Sequence, residues 1–219
     1  AKAFTLQTNA TKLNQIEDRY LHRLDAILVS IDGGREVTDS CRGEGTYDLV
    51  TSNLLEVENR GYKGDVIARM AFSKNGDIYR DVSYLLNHES PYFDHVHWQL
   101  DVFWSELESW LDLEGWLRRY ENGITKLVSD FGVSLKTGKP LGIVPFIPVF
   151  KTLLTGIETT QIRCGSGSTS FTVMTNGRID VCPIAPELSY SNVGHIKTSK
   201  PEELRGVLPV GSPCTECDV

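Results

Sequence analysis

Four cysteines gather toward the C-terminus: Cys164, Cys182 after 17 intervening residues, Cys214 after 31 more, and Cys217 after a further two. The last two form a Cys-x-x-Cys pair, which offers two soft ligands from one turn and is a ligand spacing more than a disulfide spacing. Asn176-Gly177 lies between the first two, flanked by the short alternating runs Ser170–Thr175 and Arg178–Cys182. That pattern predicts a β-hairpin closed by a two-residue turn, since Asn-Gly supplies the positive φ values such a turn demands. The hairpin would carry Cys164, just before its first strand, toward Cys182 at the end of its second. Four thiolates so placed suit a tetrahedral zinc or an iron–sulfur cluster, and ligand count alone does not separate the two. Buried or reactive thiols without metal are the alternative. Cys41 stands apart in Thr38-Asp39-Ser40-Cys41-Arg42, which reads as a polar loop.

A second chemical set lies upstream, on short apolar runs that alternate with longer amphipathic ones. Five strands are expected, at Phe4–Asn9, Ala26–Asp32, Asp65–Phe72, His95–Val102 and Leu141–Ile147, with helices near Leu13–Arg23, Tyr47–Arg60, Tyr79–Asn87 and Trp104–Leu135. In the last helix Trp104, Leu107, Trp110, Leu111, Leu117 and Tyr120 recur largely at three-to-four-residue steps and read as core. Residues two apart on a strand share a face. Gln7 and Asn9, Ser30 and Asp32, Arg69, and Gln99 and Asp101 therefore give four strands a polar face at their C-terminal ends. If the other face packs on helices, these ends line a polar cavity, where strand–helix barrels keep their chemistry; polar caps meeting water are the simpler alternative. His95 and His97 share the face of Gln99, deeper along the strand. A His-x-His pair on one face can chelate a metal, but no third ligand stands at a diagnostic spacing.

The elements imply an α/β fold, a partial (β/α) TIM-like barrel over residues 1–155, followed at 156–219 by a small cysteine-rich β-hairpin appendage. A chain of 219 residues with 40% hydrophobic and 23% charged residues is a folded protein and not a disordered or fibrous one. Twenty-two basic against 29 acidic residues leave a net charge of −7 with no basic stripe, which argues against nucleic acid as a partner. The longest apolar stretch, Leu141–Phe150, is interrupted by Pro145 and Pro148 and is too short to span a membrane. There is no secretory leader pattern, and a cysteine set spaced for ligands fits a reducing, cytoplasmic setting. No phosphate-binding loop, nucleophile elbow or helical zinc-protease motif is present.

Taken together, these residues resemble the radical S-adenosylmethionine (AdoMet) enzymes that modify peptides and carry a C-terminal SPASM or twitch domain. Leu6-Gln7-Thr8-Asn9-Ala10-Thr11 is similar to the family's strand ending in Thr-Asn-Gly-Thr, with Ala10 in place of glycine. Leu28-Val29-Ser30-Ile31-Asp32-Gly33-Gly34 resembles its Ser-x-Asp-Gly strand, and Asp39 with Arg42-Gly43-Glu44-Gly45-Thr46-Tyr47 resembles the arginine–glycine segment that follows. Cys164-x12-Gly177-x4-Cys182, then Gly194-His195-Ile196 and Cys214-x-x-Cys217, fit the family's auxiliary-cluster pattern. Neither its Cys-x3-Cys-x2-Cys motif nor its Gly-Gly-Glu-Pro segment occurs in the chain, and the cysteines of a full SPASM domain beyond Cys217 are missing too.

The resemblance implies a fragment of an enzyme that modifies a peptide or protein substrate through a 5′-deoxyadenosyl radical, inactive by itself without the cluster motif. It implies AdoMet-binding roles for Asn9, Ser30, Asp32 and Arg69, with Ser30 near the ribose. Gln7, Gln99 and Asp101 would face substrate or cofactor, and Cys164, Cys182, Cys214 and Cys217 would ligate an auxiliary 4Fe-4S cluster. The open barrel edge at Phe4–Asn9 would leave backbone unpaired, so the fragment is expected to pair with a second copy. The competing expectation is a non-catalytic module whose four cysteines hold structural zinc and whose acidic surface binds a protein. That reading explains the cysteines but not the aligned polar strand ends.

Overall fold

A computed structural model describes residues 3–101, 110–156 and 164–204. The chain divides into two compact units, Ala1–Lys151 and Thr152–Val219. The first holds a four-stranded, wholly parallel sheet of β1 (Thr5–Thr8), β2 (Ala26–Ser30), β3 (Asp65–Phe72) and β4 (His95–Leu100), in that order across the sheet. Parallel neighbours need crossovers, and helices α2 (Arg35–Arg42), α3 (Thr46–Asn59) and α4 (Ile78–Leu86) supply them. Before β2 the chain makes only a short 3-10 turn, Leu13–Gln15, and the one-turn α1, Asp18–Leu21, where a continuous helix was expected.

One face of the sheet is the core. Ile27 and Val29 of β2, Ala68, Met70 and Phe72 of β3, and Val96 and Trp98 of β4 are buried together with Val50 and Leu54 of α3 and Val82 and Leu85 of α4. Each such aliphatic side chain, fully buried, contributes about 1.5–3 kcal/mol. The long helix α5 (Leu113–Lys136) closes this layer with Trp116, Leu127 and Phe131. Trp116 stacks on Tyr120 with ring centroids 5.3 Å apart, and the indole of Trp98 donates to the Tyr120 hydroxyl at 3.0 Å.

Several expectations need correcting. Among the described residues the helix placed at Trp104–Leu135 runs from Leu113, where Asp112 caps it by accepting from the Gly115 amide at 3.0 Å. Residues 102–109, which include Trp104 and Leu107, lie outside the described residues. Trp110 is buried as expected, but Leu111 and Leu117 point to solvent; the buried stripe of α5 runs through Trp116, Leu127 and Phe131, one residue out of phase with Leu117. Leu141–Ile147 is not a strand. Ile143 makes a single parallel bridge to Val96, and the chain then enters α6 (Phe146–Thr155). Pro145 has no amide to continue a ladder, which breaks the apolar run in two. At the bridge Gly142 lies so close to the Asp94 carbonyl that a Cβ would collide with it.

The segment read as a polar loop around Cys41 is α2. Of its residues only Thr38 is buried, so apolar periodicity gave no signal; side-chain bonds hold it instead. The Thr38 hydroxyl receives the Asp32 amide and donates to the Gly33 carbonyl, and Asp39 accepts the amides of Gly45 and Tyr47. In the second unit β5 (Thr172–Val173), β6 (Arg178–Asp180) and β7 (Asn192–His195) form an antiparallel sheet. The strand pairing at Asn176-Gly177 forms, but through a three-residue loop, Thr175–Gly177, in which Gly177 alone has positive φ, +88°. β7 was not expected from the sequence. A final turn of helix, α7, spans Pro201–Leu204.

Candidate functional site

Because every strand of the parallel sheet points the same way, the C-terminal ends of β1–β4 open on one side, and their outward faces carry the polar residues. Cross-strand register fixes which of these meet. Ser30 is opposite Arg69 and Arg69 opposite His97, so the three form one row across β2, β3 and β4. One step further along, Ala71 is opposite Gln99. Above this row lies a cavity of about 130 Å³, lined by Gln7, Ser30, Arg42, Arg69, Gln99 and Asp101 among others. Five of the residues singled out in the sequence therefore share one cavity.

Two others do not line it. Asp32 is buried beneath the rim: its carboxylate takes Arg42 Nε at 2.5 Å and Nη2 at 2.8 Å, and Oδ1 also accepts the Ala71 amide at 2.8 Å. With both oxygens engaged, Asp32 acts through Arg42, which it holds against the cavity wall. Asn9 is exposed just past β1, where Oδ1 accepts the Thr11 amide and hydroxyl. This turn sets Ala10 in the left-handed region at φ +58°, where a glycine would carry no steric cost. The Asn53 side chain of α3 donates to the Ala10 carbonyl at 3.0 Å and fastens the turn.

The charges in the cavity are unequal. Arg42 is neutralised by Asp32, whereas Arg69 forms no ion pair among the described residues and its Nη1 is buried without a hydrogen-bond partner. Burial lowers the Arg69 pKa below the usual guanidinium value. His97 is pulled down to about 4, first by its own burial and then by the Arg69 charge, so it is neutral at pH 7. His95, two residues away, is paired through Nδ1 to Asp65 at 2.8 Å. His95 is thus engaged by Asp65, and among the described residues no three metal-ligating side chains converge.

Sequence reasoning left Arg42 and His97 out of the candidate site. Arg42 was legible only as part of an arginine–glycine segment, because a contact spanning ten residues from Asp32 depends on α2. His97 had a signal in the alternation of β4, which places it on the face of Gln99.

In the second unit Cys164 is exposed, Cys182 half-buried, and both are free thiols. The Ser166 hydroxyl donates to the Val181 carbonyl at 2.7 Å and ties the loop after Cys164 to the strand end before Cys182. Cys214 and Cys217 lie outside the described residues. No helix among the described residues is long and apolar enough to cross a membrane.

No protein-family model matches the sequence, and no curated protein matches it. Solved structures do match. The chain superposes on native anSMEcpe with bound AdoMet at a TM-score of 0.69 and 17% identity, covering 99% of this chain and 63% of that one. Against native anSMEcpe with bound AdoMet and the Cp18Cys peptide the TM-score is 0.70 at 18% identity, with the same coverage. The complex with the Kp18Cys peptide gives the same values. The chain therefore spans about 63% of the length of these neighbours and shares their fold, a mixed α/β arrangement on a parallel sheet.

Proposed function

We propose that this chain is part of a radical AdoMet enzyme that modifies a peptide or protein. The observation that carries the reading is the convergence of Gln7, Ser30, Arg69, Gln99 and Asp101 from four parallel strands on one cavity. Support comes from the likeness in fold to anSMEcpe, which was solved with AdoMet and with peptides. In this reading the four strands are part of a (β/α) barrel, residues 1–155, and residues 156–219 form a twitch-like auxiliary domain.

The residues present fit a polar cofactor. Ser30 supplies a hydroxyl for the ribose of AdoMet, Arg69 lines the cofactor side, Asn9 and Asp32 shape it through the turn after β1 and through Arg42, and Gln7, Gln99 and Asp101 face substrate or cofactor. AdoMet, when reductively cleaved, supplies the 5′-deoxyadenosyl radical. That activity belongs to the whole protein, since the cluster-binding Cys-x3-Cys-x2-Cys motif is not among these 219 residues. Free Cys164 and Cys182, with Cys214 and Cys217, provide four thiolates for an auxiliary 4Fe-4S cluster.

The test is anaerobic iron, sulfide and zinc analysis of the chain, with a visible spectrum, beside AdoMet binding to the full-length protein. Iron and sulfide in equal amounts, lost in Cys164→Ser or Cys182→Ser, together with AdoMet affinity that falls in Ser30→Ala, are expected. Stoichiometric zinc without sulfide would overturn the auxiliary cluster in favour of a structural zinc module that binds a protein partner. Unchanged AdoMet affinity in Ser30→Ala would overturn the cofactor assignment.

A further inference from the structure

A second cavity, of about 220 Å³, lies at the other end of the sheet, where Gly64 and Asp94 lead into β3 and β4 beside the last turns of α3. Leu54 and Val66, both buried, make its wall apolar. Tyr62 and Tyr92 add aromatic surface, and Glu58 and Asp94 add two carboxylates. Lys63 is the one cation among the lining residues, and it is exposed. Aromatic rings and carboxylates around an apolar wall suit a cation carried on an apolar stem.

Tyr62 is the residue that packing does not explain. It is only 8% exposed, and its hydroxyl has no hydrogen-bond partner. A phenylalanine would fill the same space without a buried, unmet hydroxyl, which costs stability. The hydroxyl is nevertheless given room, because it lies against Gly64, where a Cβ would collide with it. Its surroundings are negative: burial first, and then the charges of Asp65, Asp25 and Asp94, push the Tyr62 pKa up to about 12. Asp65 and Asp25 each have one oxygen engaged, by the His95 ring and the Phe4 amide. Asp94 gives Oδ2 to the Val66 amide at 2.8 Å, and no hydrogen bond among the described residues engages its Oδ1.

We propose that this cavity binds a primary ammonium group on a short aliphatic stem, with the Tyr62 hydroxyl and Asp94 as its acceptors and the stem against Leu54 and Val66. An ammonium brings three donors and no acceptor, which matches a hydroxyl oxygen and a carboxylate oxygen that both lack a partner. A bare metal ion does not fit, since among the described residues no three ligating side chains converge. The volume suits one lysine-sized group and is small for a drug-sized ligand. A lysine side chain of a partner and a free alkylamine share this chemistry. The site stands apart from the strand-end cavity and does not depend on the reading given to that cavity.

The experiment titrates the full chain at pH 7 with n-butylammonium chloride, with n-butanol as the neutral probe of the same stem, and with sodium chloride as the control for ionic strength. The amide resonances of Gly64 and Val66 are followed by NMR in wild type, Tyr62→Phe and Asp94→Asn. The expected result is a saturable shift with butylammonium only, weakened about tenfold or more in each variant. N-acetyl-lysine methylamide, titrated in the same way, separates the sources: a matching response assigns the site to a lysine side chain, and a response to butylammonium alone assigns it to a free amine. In urea the Tyr62→Phe midpoint should equal or exceed that of wild type, because the hydroxyl has no partner to lose. A lower midpoint would overturn the proposal by showing that the hydroxyl is already bonded within the chain. Equal response to butanol, a response to sodium chloride of the same size, no saturation, or wild-type affinity in Tyr62→Phe would also overturn it. The probe series and Asp94→Asn keep the test decisive if Tyr62→Phe fails to fold.

Discussion

Arg69→Met should stabilise the ligand-free chain, an unusual outcome for replacing a partly buried residue. A buried donor left without a partner costs about 1–3 kcal/mol, and Arg69 Nη1 is such a donor. The residue as a whole is only half-buried, so water relieves part of the penalty and the lower end, about 1 kcal/mol, is the expected gain. Methionine keeps the unbranched stem and its packing while deleting the charge. Trp98, Trp104, Trp110 and Trp116 all lie in the first unit, so tryptophan fluorescence follows the unfolding of that unit in urea. With a urea dependence of about 1–3 kcal/mol per molar, the midpoint should rise by about 0.3–1 M. The same substitution acts on His97, whose folded pKa is depressed to about 4 from the ordinary 6.5. A depressed histidine stabilises the fold above its unfolded pKa, and that stability drains away as pH falls from about 6.5 toward about 4. Removing Arg69 deletes the second cause of the depression and leaves the first, burial, so His97 should titrate higher but still below its ordinary value. The stability advantage of Arg69→Met should then widen as the pH is lowered through this window. A midpoint that falls in Arg69→Met, with an unchanged His97 titration, would refute the claim that the guanidinium is uncompensated.

Other substitutions test the supports of the site. Asp32→Ala strands Arg42 beside the cavity and frees the Ala71 amide, so it should cost about 3–5 kcal/mol in the same urea assay, and a loss under 1 kcal/mol would show that the pair is dispensable. Asn53→Ala removes the bond to the Ala10 carbonyl and should cost about 1–2 kcal/mol, visible as faster amide exchange at Leu13, whose N–H bonds to the same carbonyl. Gly177→Ala places a Cβ at φ +88° and against the His195 ring, and should destabilise the second unit by at least about 1 kcal/mol, read from exchange of the Met174 and Gly177 amides.

Much of the fold was legible because its strands obey a simple rule. β2 and β3 are apolar runs bounded by Asp25 and Gly64 at one end and by glycine or lysine segments at the other, and their alternation of buried and half-buried residues is visible in sequence. α3 and α4 were legible from apolar spacing. α2 was not, because it is held by Thr38, Asp39 and Arg42 through side-chain bonds that hydropathy does not register. Leu141–Ile147 misled for the opposite reason: its composition is that of a strand, but Pro145 divides it between a bridge and a helix. Leu117 misled because a helix's apolar residues do not reveal which of two adjacent phases faces the core when both carry large side chains.

The site divides along the same line. A parallel sheet presents all its strand ends on one side, so polarity at the ends of four strands is enough to gather Gln7, Ser30, Arg69, Gln99 and Asp101. Register was not available from sequence, and register decides what each residue does. Placing Arg69 between Ser30 and His97, rather than beside Asp101, leaves its charge unanswered. Placing Asp32 next to Arg42 makes it a support, not a ligand. Both carboxylate-bearing and guanidinium-bearing strand ends looked alike in the sequence as polar groups facing a cavity. The structure separates them by whether their charge is already spent, and Arg69 remains the cavity-lining charge with no partner among the described residues.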